Sequence, residues 1–193
     1  MRNAKTATAG ILLTSALALA GCGQAETTTT TPAEPLKIAF KSPQVTSNRM
    51  PATFTCLGRN TWPTLEWGSL PPSTGSLALF VVGYYPKPAS YNYKISIEWA
   101  VAGLPPTVHK LDSGKLPRYA LVGINSNGKS GYSLCPPKNT QVQYQFELYG
   151  VPKDYGVASS HFYAVRLLQA LSSPTSTTRA GSYGAFIARY ARL

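Results

Sequence analysis

The segment Val142-Gln143-Tyr144-Gln145-Phe146-Glu147-Leu148-Tyr149 alternates apolar and polar side chains over eight residues. Successive side chains of a β-strand point to opposite faces of a sheet, so this period of two predicts a half-buried strand. The residues of its predicted core face are Val142, Tyr144, Phe146 and Leu148. The segment therefore indicates a protein built mainly from β-sheet.

Neighbouring patterns extend this prediction along the chain. The stretch 95–101 repeats the alternation and predicts that Ile95, Ile97, Trp99 and Val101 share one face. The continuously apolar run Leu77 to Val82 predicts a central strand. The 16 Gly and 16 Pro favour short elements joined by many turns. The candidate strands are Leu36–Phe40, Ala52–Thr55, Thr64–Trp67, Ser76–Val82, Ile95–Ala102, Tyr119–Gly123, Val142–Tyr149 and Tyr183–Tyr190.

One helix is predicted late in the chain, opening near Ser159 or Ser160 and ending before Pro174. Its predicted buried stripe is Phe162, Val165, Leu168 and either Leu171 or Leu167. Many strands and one late helix indicate a β-sandwich with a C-terminal helix and a final strand. The 193 residues suffice for one such domain, predicted over 36–193.

The N-terminus predicts export and a lipid anchor. Arg2 and Lys5 precede the apolar run 9–20, which is short for a membrane span, and small residues follow. The tetrad Leu19-Ala20-Gly21-Cys22 resembles the bacterial lipobox, which implies a signal peptide over 1–21 and acylation of Cys22, for example with palmitate. The alternative is an ordinary leader cut near Ala20 that leaves the thiol free.

The Thr/Pro-rich segment 22–35 carries little apolar surface and is predicted to be a flexible tether. The protein is thus expected on the extracytoplasmic face of a bacterial cell membrane, with the membrane as a partner through the anchor on Cys22. Without Arg2 and Lys5 the chain has 16 basic and 7 acidic residues, so its net charge is +9. This surplus favours anionic surroundings, but the basic residues form no stripe, and no nucleic-acid partner is predicted.

Cys56 and Cys135 remain, an even number in an oxidising compartment. A disulfide between them would close a loop of about 80 residues, which is worth about 4.5 kcal/mol in the chain-entropy model. The alternative is two unpaired buried thiols.

The sequence offers little for catalysis. Gly123 to Ser130 matches the phosphate-loop pattern, but Gly131 and the prolines beyond it cannot begin the helix that such a loop requires. The histidines His109 and His161 are expected to be solvated, and the seven acids are scattered. No enzymatic activity, catalytic residue, metal site or cofactor is predicted.

Several motifs in order resemble the phosphatidylethanolamine-binding protein family, in its bacterial Raf kinase inhibitor-like branch. The resemblance covers about 40–192. It rests on Met50 to Asn60, Pro63 to Trp67, Leu70 to Leu79, Glu98 to Pro105, Gly123-Ile124-Asn125, Gly131-Tyr132, Cys135-Pro136-Pro137, Gln143 to Tyr149 and the final strand. It implies a β-sandwich with a small pocket at one end for phosphate, acetate or a phospholipid headgroup.

The family's polar pocket walls are replaced in this chain. Where the family has Asp-Pro-Asp, this sequence has Gly83-Tyr84-Tyr85; its two pocket histidines are matched by Glu98 and Val142. A carboxylate repels an anion, so the resemblance implies a degenerate anion site. The expected pocket residues are Gly83, Tyr85, Glu98, Trp99, Pro136, Pro137, Val142 and Tyr144.

Two functions stay open at this point. The first is a membrane-tethered, non-enzymatic binding protein with an altered headgroup pocket, either filled by its own side chains or rebuilt for a neutral or cationic group over aromatic faces. The alternative is a protein–protein inhibitor or docking module, for example of an extracytoplasmic protease, which would need an exposed apolar patch.

Overall fold

The computed structural model describes residues 34–87, 92–156, 161–174, 176 and 179–193. Within them the chain forms nine β-strands, one α-helix and one 3-10 turn. The elements are β1 (Leu36–Lys37), β2 (Phe40–Lys41), the 3-10 turn Ala52–Phe54, β3 (Leu65–Trp67), β4 (Thr74–Pro86), β5 (Tyr93–Leu104), β6 (Lys110–Leu111), β7 (Leu121–Val122), β8 (Thr140–Pro152), α1 (Ala164–Ser172) and β9 (Ser182–Arg192). No helix of these residues has the length and apolar character needed to cross a membrane.

The strands form two sheets. A six-stranded sheet has the order β1-β9-β8-β4-β5-β7, and a three-stranded sheet has the order β2-β3-β6. All pairs are antiparallel except β1 with β9. The main core contains apolar residues of both sheets, as a sandwich requires. The predicted β-sandwich with a late helix and a final strand is confirmed.

The central strand β4 is apolar on both faces because both faces are covered. Leu77, Leu79 and Val81 belong to the core between the sheets, whereas Ala78 and Phe80 belong to a second cluster that includes Leu167 and Leu171 of α1. Leu77 to Val82 is thus a central strand, as predicted. The alternation in β8 is also confirmed, since Val142, Tyr144, Phe146 and Leu148 are all fully buried in the first core.

The predicted common face of β5 is wrong. Val81 pairs with Trp99 but Val82 pairs with Ile97, so Glu98 is the extra residue of a β-bulge. Trp99 and Val101 lie in the core between the sheets, while Ile97 lies in the cluster beside α1 and Ile95 is 62% exposed. The bulge therefore places the residues before and after Glu98 on opposite faces of the sheet, which a strict period of two cannot anticipate.

Three further predictions are corrected. The strand predicted over Leu36–Phe40 is two short strands, because β1 pairs with β9 in the large sheet and β2 pairs with β3 in the small one. Ala52–Thr55 is not a strand, because its amides bond locally: Phe54 N–H donates to the Pro51 carbonyl and Thr55 N–H to the Ala52 carbonyl. The strand predicted over 119–123 shortens to β7.

The helix begins at Ala164, later than predicted, and Ser159 and Ser160 lie outside the described residues. The amide of Ile124 bonds the Phe162 carbonyl and the Ala164 amide bonds the Ile124 carbonyl, so the chain is held extended up to the helix start. The buried stripe is consequently Ala164, Leu167 and Leu171. Val165, predicted to be buried, is 48% exposed.

Candidate functional site

The predicted pocket residues of three strands meet on the core side of the large sheet. In β4, Gly83 pairs with Tyr144 of β8 on one side and Ser96 of β5 on the other. The bulge in β5 brings Glu98 beside Gly83, where a Cβ added to the glycine would lie 3.2 Å from Glu98 Oε1. Sequentially distant positions thus converge because β4 lies between β5 and β8.

Glu98 is the chemically unusual residue of this group, with only 3% of its surface exposed. Its Oε1 accepts a hydrogen bond from the Tyr85 hydroxyl at 2.8 Å. Burial raises the pKa of the Glu98 carboxyl, against smaller opposing effects from hydrogen bonds with Ser96 and Tyr85 and from the charge of Lys94. No ion pair within 4.0 Å joins Glu98 to a described residue.

The Tyr85 ring occupies the space left by a missing side chain. A Cβ on Gly83 would lie only 2.7 Å from Cε2 of Tyr85, so the ring position requires glycine there. The ring stands edge-on to Tyr144, with 6.4 Å between centroids. Burial also raises the pKa of the Tyr85 hydroxyl, which keeps it protonated as the donor to Glu98.

A cavity of about 480 Å³ opens beside this pair, and we call it the Glu98 cleft. Its volume lies within the range of small-molecule sites. Lys87 and Lys94 add positive charge to a lining that otherwise holds one carboxylate. The lining residues are Tyr85, Pro86, Lys87, Lys94, Glu98, Asn127, Ser133, Cys135 and Pro137.

The other predicted pocket residues lie deeper or at the side. Trp99, Val142 and Tyr144 are fully buried, and none of them lines the cleft. The Trp99 indole N–H and the Tyr144 hydroxyl make no hydrogen bond within the described residues. The Tyr85 and Tyr144 hydroxyls influence each other's pKa, so the two groups are near neighbours. Pro136 is buried and its carbonyl accepts from Arg192 at 3.0 Å.

An aromatic stack that the sequence reasoning missed supports this region. The Trp62 ring stacks on Trp99 with centroids 4.8 Å apart, and Tyr132 meets Trp99 edge-on at 5.4 Å. The Tyr132 hydroxyl donates to the Phe54 carbonyl at 2.9 Å. Trp62 and Trp99 are far apart in sequence, and no local pattern connects them.

The disulfide between Cys56 and Cys135 is present in the structure, with a Cα–Cα distance of 5.1 Å. The Cys56 amide also donates to the Leu134 carbonyl at 2.9 Å. Because Cys135 lines the Glu98 cleft, the bridge fixes one wall of the cleft to the segment after the 3-10 turn.

The loop that matches the phosphate-loop pattern has a structural task. Asn125 Oδ1 accepts from the amides of Asn127 and Lys129, and its Nδ2 donates to the Glu98 carbonyl at 3.3 Å. No helix follows Ser130; the described chain continues as loop up to β8. The loop therefore supports the bulge at Glu98 and lacks the geometry that binds nucleotide phosphates.

Some predicted features lie outside the described residues. These are the signal peptide over 1–21, the lipidation site Cys22 and nearly all of the tether over 22–35, of which only Glu34 and Pro35 are described. They stay predictions. Among the described residues, no group of three or more His, Cys, Asp or Glu could hold a metal ion.

Comparison with known proteins finds one matching family model and several bacterial relatives of this chain. Residues 41–183 match the family model described as phosphatidylethanolamine-binding protein. A Mycobacterium tuberculosis protein, LppC, whose name marks it as a candidate lipoprotein, is 34% identical over 76% of this chain and 78% of its own length. The Escherichia coli protein YbcL is 34% identical over 56% of this chain and 62% of its own.

Two crystal structures share the fold. A phosphatidylethanolamine-binding protein homologue of Chlamydia trachomatis superposes with a TM-score of 0.68 at 24% identity, over 81% of this chain and 99% of the homologue. YbcL of Escherichia coli gives a TM-score of 0.63, also at 24% identity, over 81% of this chain and 99% of that chain. At this identity the likeness concerns the fold.

Proposed function

Because the chain belongs to the phosphatidylethanolamine-binding protein family, we propose that it is a membrane-tethered, non-enzymatic binding protein whose pocket takes a neutral or cationic group instead of an anion. The observation that carries this proposal is the Tyr85–Glu98 hydrogen bond at the cleft. The resemblance implies a phosphate cup at this place, and here a tyrosine ring and a carboxylate fill its inner part.

The electrostatic environment of Glu98 supports a ligand that is cationic or donates a hydrogen bond. Its hydrogen-bond partners, Tyr85 and Ser96, are neutral hydroxyl donors, so no cation compensates the buried charge by direct contact within the described residues. A buried carboxylate gains from a cationic or hydrogen-bond-donating group and repels phosphate. Lys87 and Lys94 stand at the cleft wall and would meet any acidic end of such a ligand.

An NMR titration that shows where in the protein each probe binds tests this proposal. The chain has three Trp residues, and the fully buried Trp99 follows Glu98 directly in β5, so its indole N–H signal in an NMR spectrum serves as the reporter for Glu98. We expect ethanolamine, as a cationic probe, to shift the Trp99 signal in the wild type and not in Glu98→Gln. We expect inorganic phosphate and phosphoethanolamine to leave it unmoved; micromolar binding of either at Trp99 would overturn the proposal.

Tethering is supported by the lipobox-like Leu19 to Cys22 and by the similarity to LppC. We expect Cys22→Ala to move the protein from the membrane to the soluble fraction of cells, because the acyl chains are lost. Cys22→Ala that stays wholly with the membrane would contradict a lipid anchor at this residue.

One observation favours the alternative of a protein–protein inhibitor or docking module. Tyr93 and Ile95 are 56% and 62% exposed, and the Tyr93 ring lies 6.4 Å from that of Tyr84. Together they form an apolar patch at the β4–β5 hairpin. Inhibition of an extracytoplasmic protease that Ile95→Lys abolishes, with ethanolamine binding unchanged, would establish this function instead.

A further inference from the structure

A second polar site lies away from the Glu98 cleft, where the segment before the 3-10 turn joins β9. Arg49 and Arg189 form a parallel bridge in this region. The Arg189 amide donates to the Asn48 carbonyl at 2.7 Å, and the Met50 amide donates to the Arg189 carbonyl at 2.9 Å. These bonds hold the two arginine backbones side by side.

A tight turn fixes Arg49 from the other direction. Ser47 and Asn48 both have positive φ, 49° and 58°, and Thr46 pairs with Arg49 across them. Positive φ is uncommon for residues other than glycine, and here it is held by the hydrogen bonds from the Arg49 amide to Thr46 and from the Arg189 amide to Asn48. Both arginines keep exposed side chains while Met50 between the turn and the core is buried.

The two guanidinium groups have no acidic partner in the described chain. The ion pairs found there are Lys41–Glu66 and Lys110–Asp112. Arginine does not lose its charge in proteins, so both residues that line this place stay cationic. A shared anion would compensate both charges.

A cavity of about 330 Å³ lies at this place, large enough for a small ligand. Besides the arginines, its lining offers hydroxyl and amide groups that donate hydrogen bonds to oxygen. The lining residues are Ser47, Asn48, Arg49, Met50, Gln141, Arg189, Tyr190 and Ala191.

We propose that Arg49 and Arg189 form a binding site for a phosphate group. Planar guanidinium groups match phosphate oxygens in bidentate hydrogen bonds, which lysine cannot reproduce. The phosphate is either that of a lipid headgroup, a diester, or that of a free phosphate compound. The site is independent of the proposed function of the Glu98 cleft, since none of its residues lines that cleft.

The test uses the full chain in detergent and calorimetric titration with two probes, inorganic phosphate and the diester glycerophosphoglycerol. We expect saturable binding of one probe that the double variant Arg49→Gln with Arg189→Gln weakens about tenfold or more, as expected when two charge-assisted contacts are lost. Tighter binding of the diester assigns the site to lipid headgroups, and tighter binding of inorganic phosphate assigns it to free phosphate.

Two further variants distinguish binding in this cavity from a general attraction of anions to a basic protein. Lys115→Gln with Arg118→Gln removes the same charge from the exposed β6–β7 loop and is expected to change the affinity less than twofold, since the two positions lie outside the cavity. Arg49→Lys with Arg189→Lys keeps the charge and is expected to give an intermediate affinity.

Equal losses in the Gln pair and the loop control, or no loss in the Gln pair, would overturn the site. Urea denaturation of each variant confirms that it is folded. A phosphate-induced shift of the Trp99 indole signal concerns only the Glu98 cleft, so the two proposals fail separately.

Discussion

Glu98 and Glu147 are two buried carboxylates on opposite faces of the large sheet. Glu98 is 3% exposed and accepts the Tyr85 hydroxyl at 2.8 Å; Glu147 is 6% exposed and accepts the Tyr149 hydroxyl at 2.9 Å. Burial raises the pKa of both carboxyls. Their surroundings differ, because Glu98 lines a cleft of about 480 Å³ whereas Glu147 pairs with Phe80 in the layer beneath α1.

The comparison shows that a buried carboxylate bonded to a tyrosine is not by itself a site. The same pairing serves packing on one face and borders a ligand-sized space on the other. The difference comes from the β-bulge, which gives Glu98 its own place beside Gly83, while Glu147 lies within the regular alternation of β8.

The largest expected effect on stability comes from removing the disulfide, which borders only one of the two regions. Only the Glu98 region has a wall fastened by Cys56–Cys135. We expect Cys56→Ser with Cys135→Ser to lower the free energy of unfolding by about 4.5 kcal/mol, since the unfolded chain gains loop entropy. Urea denaturation measures the loss. A free-thiol count near zero on the denatured, unreduced wild type, apart from an unacylated Cys22, is the control.

A smaller effect should distinguish the two tyrosines. Tyr149→Phe leaves the Glu147 carboxylate one donor short in a packed layer and should cost about 2 kcal/mol of unfolding free energy. Tyr85→Phe should cost less, about 1 kcal/mol, because water in the cleft can replace the lost donor. Matched losses in thermal or urea unfolding would show that the cleft does not hydrate Glu98.

The smallest effect concerns pH. Since the folded pKa of each glutamate is raised above its ordinary value of 4.5, the folded chain holds protons that the unfolded chain releases, and stability falls as pH rises from 4.5 toward the raised value. Glu98→Gln and Glu147→Gln should each flatten this fall and raise the free energy of unfolding at neutral pH, because no buried charge then forms.

Below pH 4.5 that advantage should vanish, because wild type and variant are then both uncharged at the substituted position. Unfolding curves collected across this range measure the effect. Exposed Asp154→Asn, for which no gain is expected, is the control. A gain that is equal at all pH values would exclude protonation as its cause.

Much of the fold followed from local patterns, and much of the site did not. The alternation of β8 placed Val142, Tyr144, Phe146 and Leu148 correctly, and the order of motifs identified the family. The same reasoning misplaced Ile97 and Val165. The face on which Ile97 lies is set by the β-bulge in the pairing of β5 with β4. The exposure of Val165 is set by the start of α1, which the hydrogen bonds of Ile124 with Phe162 and Ala164 fix.

Side-chain period and motif order were enough to establish the mainly β class and the family, whereas the pairing of Cys56 with Cys135 was one of two alternatives until the structure showed the bridge. Three other features became visible only in the folded chain: Glu98 bulges toward Tyr85, Trp62 stacks on Trp99, and Arg49 lies beside Arg189. Those features depend on register between strands and loops that are distant in sequence. Such contacts arise from packing of the whole sandwich, which no local period records.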